Sequence, residues 1–446
     1  MGLASKRGRS LTFPRRAPAW RSHRTMRDVK ERALGKNVIV VGAGVVGLGC
    51  ASYLQRFGHD VTLIDRLPPG RSTSYGNAGG IAGTFVLPLA MPGLMKKYVQ
   101  YLLDPEGPVS VRWSHFPQLV PFLWQFWRNC RPERVRECTA ALAAFMPPSY
   151  EAWEPLFKDA GLMHLVRHNG GLWLYRDKAA LMKDWLFWRG RRDNGFEFTE
   201  LDADLLRQTE PAVSREWQAA ILEPDWYSVA NPYEISVGLY AHLRARGAKL
   251  IEAEVRDFEK TANGIGAVIT DKGRHAADAI VIAAGAWSHR LAKKLGSRVP
   301  LESQRGYHVT LPKAGVETRH TVVVGSAKIA ISTLNCGVRI VGASAFTGVD
   351  APPDWRQSKM VLAWGKRVLP GLDTEGMTEW FGERPLTPDS IPVMGPSPHF
   401  KNVFYAFGHS HMGLTTGAVT GRLIAQMVSG QATPIDMHPY RIDRSY

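Results

Sequence analysis

The sequence predicts an α/β fold in which a domain with a parallel sheet is discontinuous along the chain and contains an inserted α+β domain. Three observations support this prediction. An apolar strand followed by a glycine-rich turn and a helix occurs near each end of the chain. Residues 98–207 show a mainly helical pattern, and several short strand-like runs lie between residues 302 and 382. A chain of 446 residues is long enough for two domains that each bury a core.

The first strand and turn follow residue 36, where the sequence reads NVIVVGAGVVGLG. Asn37–Val41 is a β-branched apolar run, which predicts a buried parallel strand. Gly42 allows the tight turn after it, Gly44 lets a pyrophosphate approach the backbone, and Gly47 lets the next helix pack closely on the strand. This spacing predicts a Rossmann-like, dinucleotide-binding turn.

The elements after this turn fit the same prediction. A helix expected over Val45–Arg56 directs its N-terminal amides toward the turn, where they can bind phosphate. A strand expected over 60–64 is followed by Asp65, whose carboxylate can accept hydrogen bonds from a ribose hydroxyl. Residues 70–83 are small and show no helical or strand period, which indicates backbone pressed against a ligand.

The middle of the chain predicts the inserted domain and further strands of the parallel sheet. A strand pair is expected near 171–175 and 196–199, within the mainly helical region. After residue 231 we expect a helix at 233–246, a strand at 249–255, a hairpin at 266–273 and a strand at 279–284. We assign these later elements to the same open sheet as the first strand.

The last third of the chain predicts a second sheet and a return to the first. Strand-like runs at 307–311, 321–324, 328–332 and 338–342 predict a mainly antiparallel sheet. A strand at 402–407 then leads into GHSHMGLTTG and a helix expected over 417–428. This end of the chain forms a second loop-to-helix cluster of amides. Two such turns are more than a nicotinamide fold normally requires, so a nucleotide that spans two strand ends fits better.

These elements give a domain assignment. Residues 37–95, 231–302 and 384–446 form the Rossmann-like domain, and residues 96–230 and 303–383 form the inserted domain. Residues 1–36 form a basic tail, expected to be disordered.

The formal net charge of +16 is mostly local, because residues 1–36 hold 11 Lys or Arg and two acids, which leaves +7 for the remaining chain. This segment has no apolar run of the secretory kind. It fits a transit peptide, a disordered basic arm, or residues upstream of a true start at Met26, and the last is favoured. Nucleic-acid binding through the arm is a remote alternative, and no nucleic-acid partner is expected.

The four cysteines, Cys50, Cys130, Cys138 and Cys336, show neither CxxC spacing nor histidines at metal-ligand spacing. A reducing compartment and no metal are therefore expected.

No apolar run reaches the roughly 18 residues that cross a bilayer, so a cytoplasmic protein is predicted. The hydrophobic stretch 84–127 has two interpretations. It forms either a peripheral contact with the inner membrane or, as we favour, a helical part of the inserted domain over the ligand.

The motifs VVGAGVVGLGCASYL, STSYGNAGG, VIAAGAWS, RPLTPDSIPVMG and FGHSHMGLTTGAVTGRLIA together resemble the D-amino acid oxidase (DAO) family of flavoproteins. The resemblance covers residues 37–430 and is greatest to bacterial D-amino acid dehydrogenases and related amino and imino acid oxidases. It implies a Rossmann-like domain that binds FAD and an inserted domain that binds substrate. Because STSYGNAGG holds neither His nor Cys, noncovalent FAD is expected. The resemblance implies these FAD-binding residues: Gly42, Ala43, Gly44, Val45, Val46, Gly47, Asp65, Arg66, Thr73, Ser74, Asn77, Ala78, Gly79, Gly80, Val255, Ala284, Gly285, Trp287, Gly408, Gly413, Leu414, Thr415 and Thr416.

The resemblance also implies the reaction, in which a hydride leaves a carbon next to an amine and water hydrolyses the imine. Arg384 takes the position that holds the substrate carboxylate, for which a planar guanidinium is well suited. His411 and Tyr307 are further candidate catalytic residues that can orient the amine or a carboxylate. If Lys328 points inward beside Arg384, a substrate with two carboxylates is favoured.

The expected substrate is a small carboxylate-bearing amine: a D-amino acid, or a secondary amine such as an N-carboxymethyl amino acid, iminodiacetate or hydroxyproline. The electron acceptor is oxygen or a respiratory quinone. A nicotinamide-dependent dehydrogenase is the alternative function.

Overall fold

The computed structural model describes residues 35–94, 100–101 and 107–446. The predicted tail therefore lies outside the described residues, except for residues 35 and 36. In chain order the strands are β1 (Asn37–Val41), β2 (Asp60–Asp65), β3 (Gly80–Ile81), β4 (Val109–Val111), β5 (Val166–His168), β6 (Gly171–Tyr175), β7 (Thr199–Leu201), β8 (Ala219–Glu223), β9 (Tyr227–Val229), β10 (Lys249–Glu252), β11 (Val255–Thr261), β12 (Gly264–Thr270), β13 (Gly273–Ala276), β14 (Ala279–Ile282), β15 (Glu302–Leu311), β16 (Thr321–Val324), β17 (Ile329–Leu334), β18 (Gly337–Phe346), β19 (Thr378–Leu386), β20 (Val393–Pro396) and β21 (Val403–Phe407).

The α-helices follow the same convention. They are α1 (Val45–Arg56), α2 (Phe116–Asn129), α3 (Pro132–Phe145), α4 (Ser149–Asp159), α5 (Lys178–Lys183), α6 (Trp185–Asp193), α7 (Ala203–Thr209), α8 (Pro232–Ala245), α9 (Ser288–Lys294), α10 (Arg356–Val368) and α11 (Gly413–Val428). None of the described helices is long and apolar enough to cross a membrane.

A six-stranded sheet in the order β10-β2-β1-β14-β21-β20 confirms the predicted parallel sheet. Its neighbours pair in parallel except β20 and β21, which are antiparallel. Strand β1 lies in the middle, and four of its five residues are buried. The assignment of the whole region after residue 231 to this sheet is wrong in one part. Strands β11, β12 and β13 form a separate antiparallel sheet, because four of the seven residues of β11 are charged and only Phe258 is buried, so this strand cannot be covered on both faces.

A nine-stranded sheet follows the order β19-β15-β18-β17-β16-β6-β8-β7, with β4 beside β18. It confirms the mainly antiparallel sheet predicted in the last third of the chain; β16 with β6 and β4 with β18 are its parallel pairs. The expected pairing of 171–175 with 196–199 is wrong, because β8 lies between β6 and β7. The second strand also starts later, at Thr199.

Strand β19 is absent from the sequence prediction and moves one domain boundary. It pairs with β15 alone, at the edge of the nine-stranded sheet, and carries Arg384. The boundary expected between residues 383 and 384 therefore falls inside a strand of the inserted domain's sheet. Pro385 obscured this strand in the sequence, since proline is tolerated in sheets mainly at edges.

The hydrophobic stretch 84–127 has two parts in the structure, and residues 95–99 and 102–106 within it are outside the described part of the chain. Its first part, including Phe85 and Leu89, lines a large cavity. Its later part forms α2, whose inner face packs through Leu119, Phe122 and Phe126. The opposite face of α2 stays exposed.

Helices α1 and α11 pack with their backbones in direct contact. A Cβ atom at Gly421 would lie 2.2 Å from the carbonyl oxygen of Gly49, and one at Gly49 would lie 2.4 Å from that of Gly417. Helix α11 begins at Gly413, four residues before the predicted start at 417. The contact brings the N-terminus of the first helix beside the N-terminus of the last.

We predict that Gly421→Ala destabilises the protein, because the new methyl group collides with backbone that cannot move without separating α1 from α11. Overpacking of this kind costs roughly 1–3 kcal/mol, more than alanine gains in helix propensity. Thermal unfolding measured by circular dichroism should show a lower Tm. The matched control is Gly371→Ala, where a Cβ atom meets nothing within 4 Å. Equal Tm values for the two variants would contradict the helix contact.

Candidate active site

A cavity of about 1010 Å³ lies where the carboxyl ends of the parallel strands face the nine-stranded sheet. Ligands of open α/β sheets bind at this edge. The volume is at the upper end of the range of roughly 300–1,000 Å³ for small-molecule sites. The cavity can therefore hold a large ligand together with a smaller one.

One end of the cavity is formed by the first glycine-rich turn. Gly42 has φ of +112°, and Gly44 is the N-cap of α1. The hydroxyl of Ser74 accepts a hydrogen bond of 2.9 Å from the amide of Val45. A Cβ atom at Gly44 would meet little except the Ser74 Oγ, at 3.2 Å, so the space above this residue is open for a ligand. The remaining N-terminal amides of α1 can bind a pyrophosphate there.

Asp65 lies at the end of β2 beside this turn. Its carboxylate accepts hydrogen bonds of 2.7 Å from the amide of Ala43 and 3.0 Å from that of Leu67. Burial raises its pKa, while these two amides lower it. Each carboxylate oxygen keeps acceptor capacity for a ribose hydroxyl. The guanidinium of Arg66 lies 4.3 Å from the centre of the Trp287 ring, and both residues line this end of the cavity.

The other glycine-rich loop forms a second wall, where α11 begins. Gly413, Leu414 and Thr415 line the cavity, and their amides belong to the first turn of α11, where no intrahelical acceptor exists. The Thr415 hydroxyl lies 3.3 Å from the Ala82 amide, from which it accepts a hydrogen bond. This links the loop to the segment that follows STSYGNAGG.

Two buried polar atoms at the cavity have no hydrogen-bond partner among the described residues. They are the Ser410 hydroxyl and the indole nitrogen of Trp226. Ser410 is held in the left-handed region, at φ of +50°. Buried donors without partners are costly, so a ligand rich in acceptors suits this wall. The open glycine turn, the two helix N-termini and these donors fit a flavin dinucleotide.

Most of the expected FAD-binding residues line the cavity; four do not: Ala43, Gly47, Gly79 and Gly408. These four shape the backbone instead. A Cβ atom at Gly47 would lie 1.9 Å from the Gly42 carbonyl oxygen, which supports its expected packing role. Gly79 and Gly408 have φ of +86° and +83°, and Ala43 accepts a hydrogen bond from the Gly70 amide.

Arg384 reaches the cavity from β19. Its Nη1 donates a hydrogen bond of 2.9 Å to the carbonyl of Ala343 on β18, two strands away. The side chain crosses β15 at Gly306, where a Cβ atom would lie 2.1 Å from Nη2. Burial lowers the pKa of Arg384 to about 10, so the guanidinium stays charged at neutral pH. The carbonyl orients one edge of the guanidinium, and other N–H groups can bind a carboxylate.

Lys328 and His411 line the same part of the cavity. Burial and the charge of Arg384 lower the pKa of Lys328 to about 8. His411 is a solvent-accessible residue of the cavity lining. Burial first, then the charges of Arg384 and Lys328, lower its pKa to about 4. His411 is therefore neutral at pH 7 beside two cationic side chains.

Tyr307 is among the residues that line the cavity, but its side chain makes its contacts elsewhere, so its expected role at the substrate stays a prediction. Its hydroxyl accepts a hydrogen bond of 2.9 Å from the amide of Asp354, and its ring packs against Trp355 and Phe381. Arg305, on the same face of β15, pairs with Glu383 at 2.6 Å. This face belongs to the core of the nine-stranded sheet.

Gln304 is a cavity residue that the sequence analysis missed. It lies directly opposite Arg384 in the β15–β19 ladder and is 4% exposed, with its accessible part at the cavity. The alternation of side chains along β15 was the available signal, because Gln304 and Gly306 must face opposite to Arg305 and Tyr307. The sequence did not show which face meets the cavity.

An aromatic wall completes the cavity on the side of the inserted domain. It contains Phe85, Trp173, Phe187 and Trp226. The rings of Phe85 and His411 are 5.9 Å apart in an edge-to-face arrangement. The wall makes the cavity apolar on the side where His411 lies.

Comparisons with known proteins agree with this geometry. The family model described as DAO, FAD dependent oxidoreductase, matches residues 37–427. A D-amino-acid oxidase of Bradyrhizobium diazoefficiens is 34% identical over 413 residues, which cover 91% of this chain and 98% of that protein. A D-amino acid dehydrogenase of the same organism is 30% identical, with 91% and 98% covered. The crystal structure of glycine oxidase from Geobacillus kaustophilus superposes with a TM-score of 0.69 at 22% identity, over 92% of this chain and 99% of that one.

We predict that Gly44→Val abolishes retention of the dinucleotide, because the side chain fills the space that the turn leaves open for a pyrophosphate. The purified variant should lack the visible absorption of bound flavin and still unfold cooperatively. Gly371→Val, at an exposed position with no atom within 4 Å of the added Cβ, is the control and should stay yellow. A fully loaded Gly44→Val protein would overturn the assignment of this turn.

Proposed function

Because the chain belongs to the DAO family of FAD-dependent oxidoreductases, we propose that it oxidises a small carboxylate-bearing amine, an amino or imino acid, to the imine, which water then hydrolyses. The nicotinamide-dependent alternative is not supported. The observation that carries the proposal is the position of Arg384, a charged guanidinium at the cavity that the two glycine-rich turns enclose.

FAD, when bound, supplies the acceptor for the hydride and its two electrons. The residues that would hold it are those of the two turns, with Asp65 at the ribose and the amides of Gly413 to Thr415 at the opposite end. Noncovalent binding is proposed, since residues 72–80 hold neither His nor Cys. The chain's own part is to orient the substrate and to exclude water.

Three side chains divide the substrate-binding work. Arg384 would bind the α-carboxylate with its free N–H groups. His411, kept neutral by burial and by the cations around it, can accept a hydrogen bond from the substrate amine. The positive charges of Arg384 and Lys328 disfavour an ammonium nearby, so the amine is bound in its neutral form, which can lose a hydride.

A D-amino acid is the proposed substrate, in line with the D-amino-acid oxidase and D-amino acid dehydrogenase named above. Secondary amines such as N-carboxymethyl amino acids, iminodiacetate or hydroxyproline are the second candidates. The test is anaerobic mixing of the holoenzyme with matched D- and L-amino acids and secondary amines, with loss of flavin absorption as the readout. No bleaching by any amine would overturn the proposed reaction.

We predict that Arg384→Ala keeps its bound flavin and loses roughly 30- to 150-fold in kcat/KM, mainly through a higher KM, because it removes a charge-assisted bond of about 2–3 kcal/mol. The kcat/KM of Arg384→Lys should lie between those of the wild type and Arg384→Ala, since lysine keeps the positive charge but lacks the planar guanidinium that binds both carboxylate oxygens. Arg356→Ala, an exposed arginine on α10, is the control. Unchanged kinetics of Arg384→Ala would remove this residue from the substrate site.

We further propose that the protein is cytoplasmic and that the exposed face of α2 contacts the inner membrane peripherally. A membrane contact favours a respiratory quinone rather than oxygen as electron acceptor. Trp113, Trp124 and Trp127 are 74%, 59% and 44% exposed. Exposed arginines 112, 128 and 131 border these rings, and the Arg131 guanidinium lies 5.8 Å from the Trp127 ring centre. Aromatic rings beside cations match the interface of an anionic bilayer.

We predict that the holoenzyme floats with vesicles that contain phosphatidylglycerol and does so less with phosphatidylcholine alone. A Trp124→Ser and Trp127→Ser double variant should stay in solution, because it loses the rings that insert into the interface. Leu205→Ser, which removes an exposed apolar side chain on α7, should bind vesicles like the wild type. Equal flotation of all three proteins, or of none, would contradict the membrane contact.

A further inference from the structure

We propose that the substrate carries a second anionic group, so that Arg384 binds the α-carboxylate and Lys328 binds a carboxylate on the side chain or on the amine substituent. This inference rests on the proposed function and narrows it to acidic amines, such as an acidic D-amino acid or an N-carboxymethyl amino acid. Lys328 is then the residue that determines specificity.

The backbone brings the two cations together. Arg384 crosses β15 to reach carbonyls of Gly342 and Ala343 on β18. Strand β18 pairs with β17, and Lys328 is the residue before β17. A Cβ atom at Gly342 would lie 3.4 Å from the Lys328 carbonyl oxygen, and the Gly342 carbonyl lies 3.5 Å from the Arg384 Nη2, so both residues lie close to Gly342.

Lys328 is held in this place by a strained backbone. It ends the 3₁₀ turn Gly325–Ala327 with φ of +53°, in the left-handed region that non-glycine residues rarely adopt. Strain of this kind persists where the surrounding structure determines it, and it occurs often at ligand sites. The Lys328 ammonium lies 5.7 Å from the centre of the Tyr101 ring and lines the cavity.

Arg384 and Lys328 are two cationic side chains that line the cavity together and both act on His411. Glu383, the neighbour of Arg384 in sequence, also lines the cavity, and its carboxylate is bound by Arg305 and Ser303. The carboxylates of Asp65 and Glu254 line the dinucleotide end of the cavity, and Asp184 lines it from the start of α6. The positive charges of Arg384 and Lys328 both lower the pKa of His411, so His411 does not add a third positive charge. A dianionic ligand offers one carboxylate to each cation.

The aromatic wall, which contains Phe85, Trp173, Phe187 and Trp226, suits a different class of substrate. An amino acid with one carboxylate would place an apolar side chain against these rings and leave Lys328 without a role in binding. The two possibilities differ in how tightly simple acids bind.

The experiment measures binding of unreactive acids to the holoenzyme, by thermal shift and by perturbation of the flavin absorption. Glutarate and succinate should bind at least tenfold more tightly than butyrate or 3-phenylpropionate. Lys328→Met should remove this preference, lower glutarate affinity about tenfold and leave butyrate affinity unchanged. Lys328→Arg should retain much of the preference for diacids. Lys313→Met, which replaces an exposed lysine in the loop after β15, should bind these acids as the wild type does. Flavin content and Tm of each variant report whether it is folded.

Equal affinity for diacids and monoacids, tighter binding of 3-phenylpropionate, or a Lys328→Met variant that keeps the preference would each overturn the proposal. Anaerobic bleaching of the flavin by D-glutamate is compared with bleaching by D-glutamine, so that the second anionic group is tested separately from the proposed function. Faster bleaching by D-glutamate supports both. Bleaching by D-glutamine alone overturns only the second anionic group, and the absence of bleaching by any amine overturns the proposed function.

Discussion

The close contact between α1 and α11 is the constraint on which the cavity depends. Gly49, Gly417 and Gly421 let the two helix backbones touch: a Cβ atom would collide with backbone at Gly49 or Gly421 and would be tightly packed at Gly417. The helices come from opposite ends of the chain, and each follows a glycine-rich loop after a strand of the six-stranded sheet. Their contact places both N-termini at one cavity, so that donors from the first and last parts of the chain bind one ligand.

The pleat of two neighbouring strands supplies the second constraint. On β15 and β19, Gln304, Gly306 and Arg384 line the cavity, whereas the side chains of Arg305 and Glu383 pair with each other and the Tyr307 hydroxyl bonds the Asp354 amide. Successive side chains of a strand point to opposite faces of the sheet. The register of β15 and β19 therefore determines that Arg384 lies at the cavity and that Arg305 is buried in an ion pair. Gly306 then gives Arg384 the room to cross to β18. The core and the substrate site share the same strands through opposite faces.

Electrostatics in the cavity follow from burial combined with like charge. Arg384 keeps its proton, Lys328 has a pKa lowered to about 8, and His411 has a pKa lowered to about 4. Desolvation disfavours each charged form, and the neighbouring cations add to this effect on Lys328 and His411. The result is a site with two cations and a neutral imidazole, which suits an anionic amine held without its proton.

The sequence alone determined the elements whose local pattern is unambiguous. Strand β1, helix α1, Asp65 and the loop before α11 lie where the spacing predicted them, because glycine turns, helix caps and apolar strands depend on residues close in the chain. The resemblance to a family added Arg384 and His411, which the structure brings to one cavity. Only the tertiary structure decided that β19 exists, that Tyr307 and Arg305 face the core, and that Gln304 and Lys328 face the cavity. These outcomes depend on which strands pair and in which register, and pairing is set by contacts between residues far apart in the sequence.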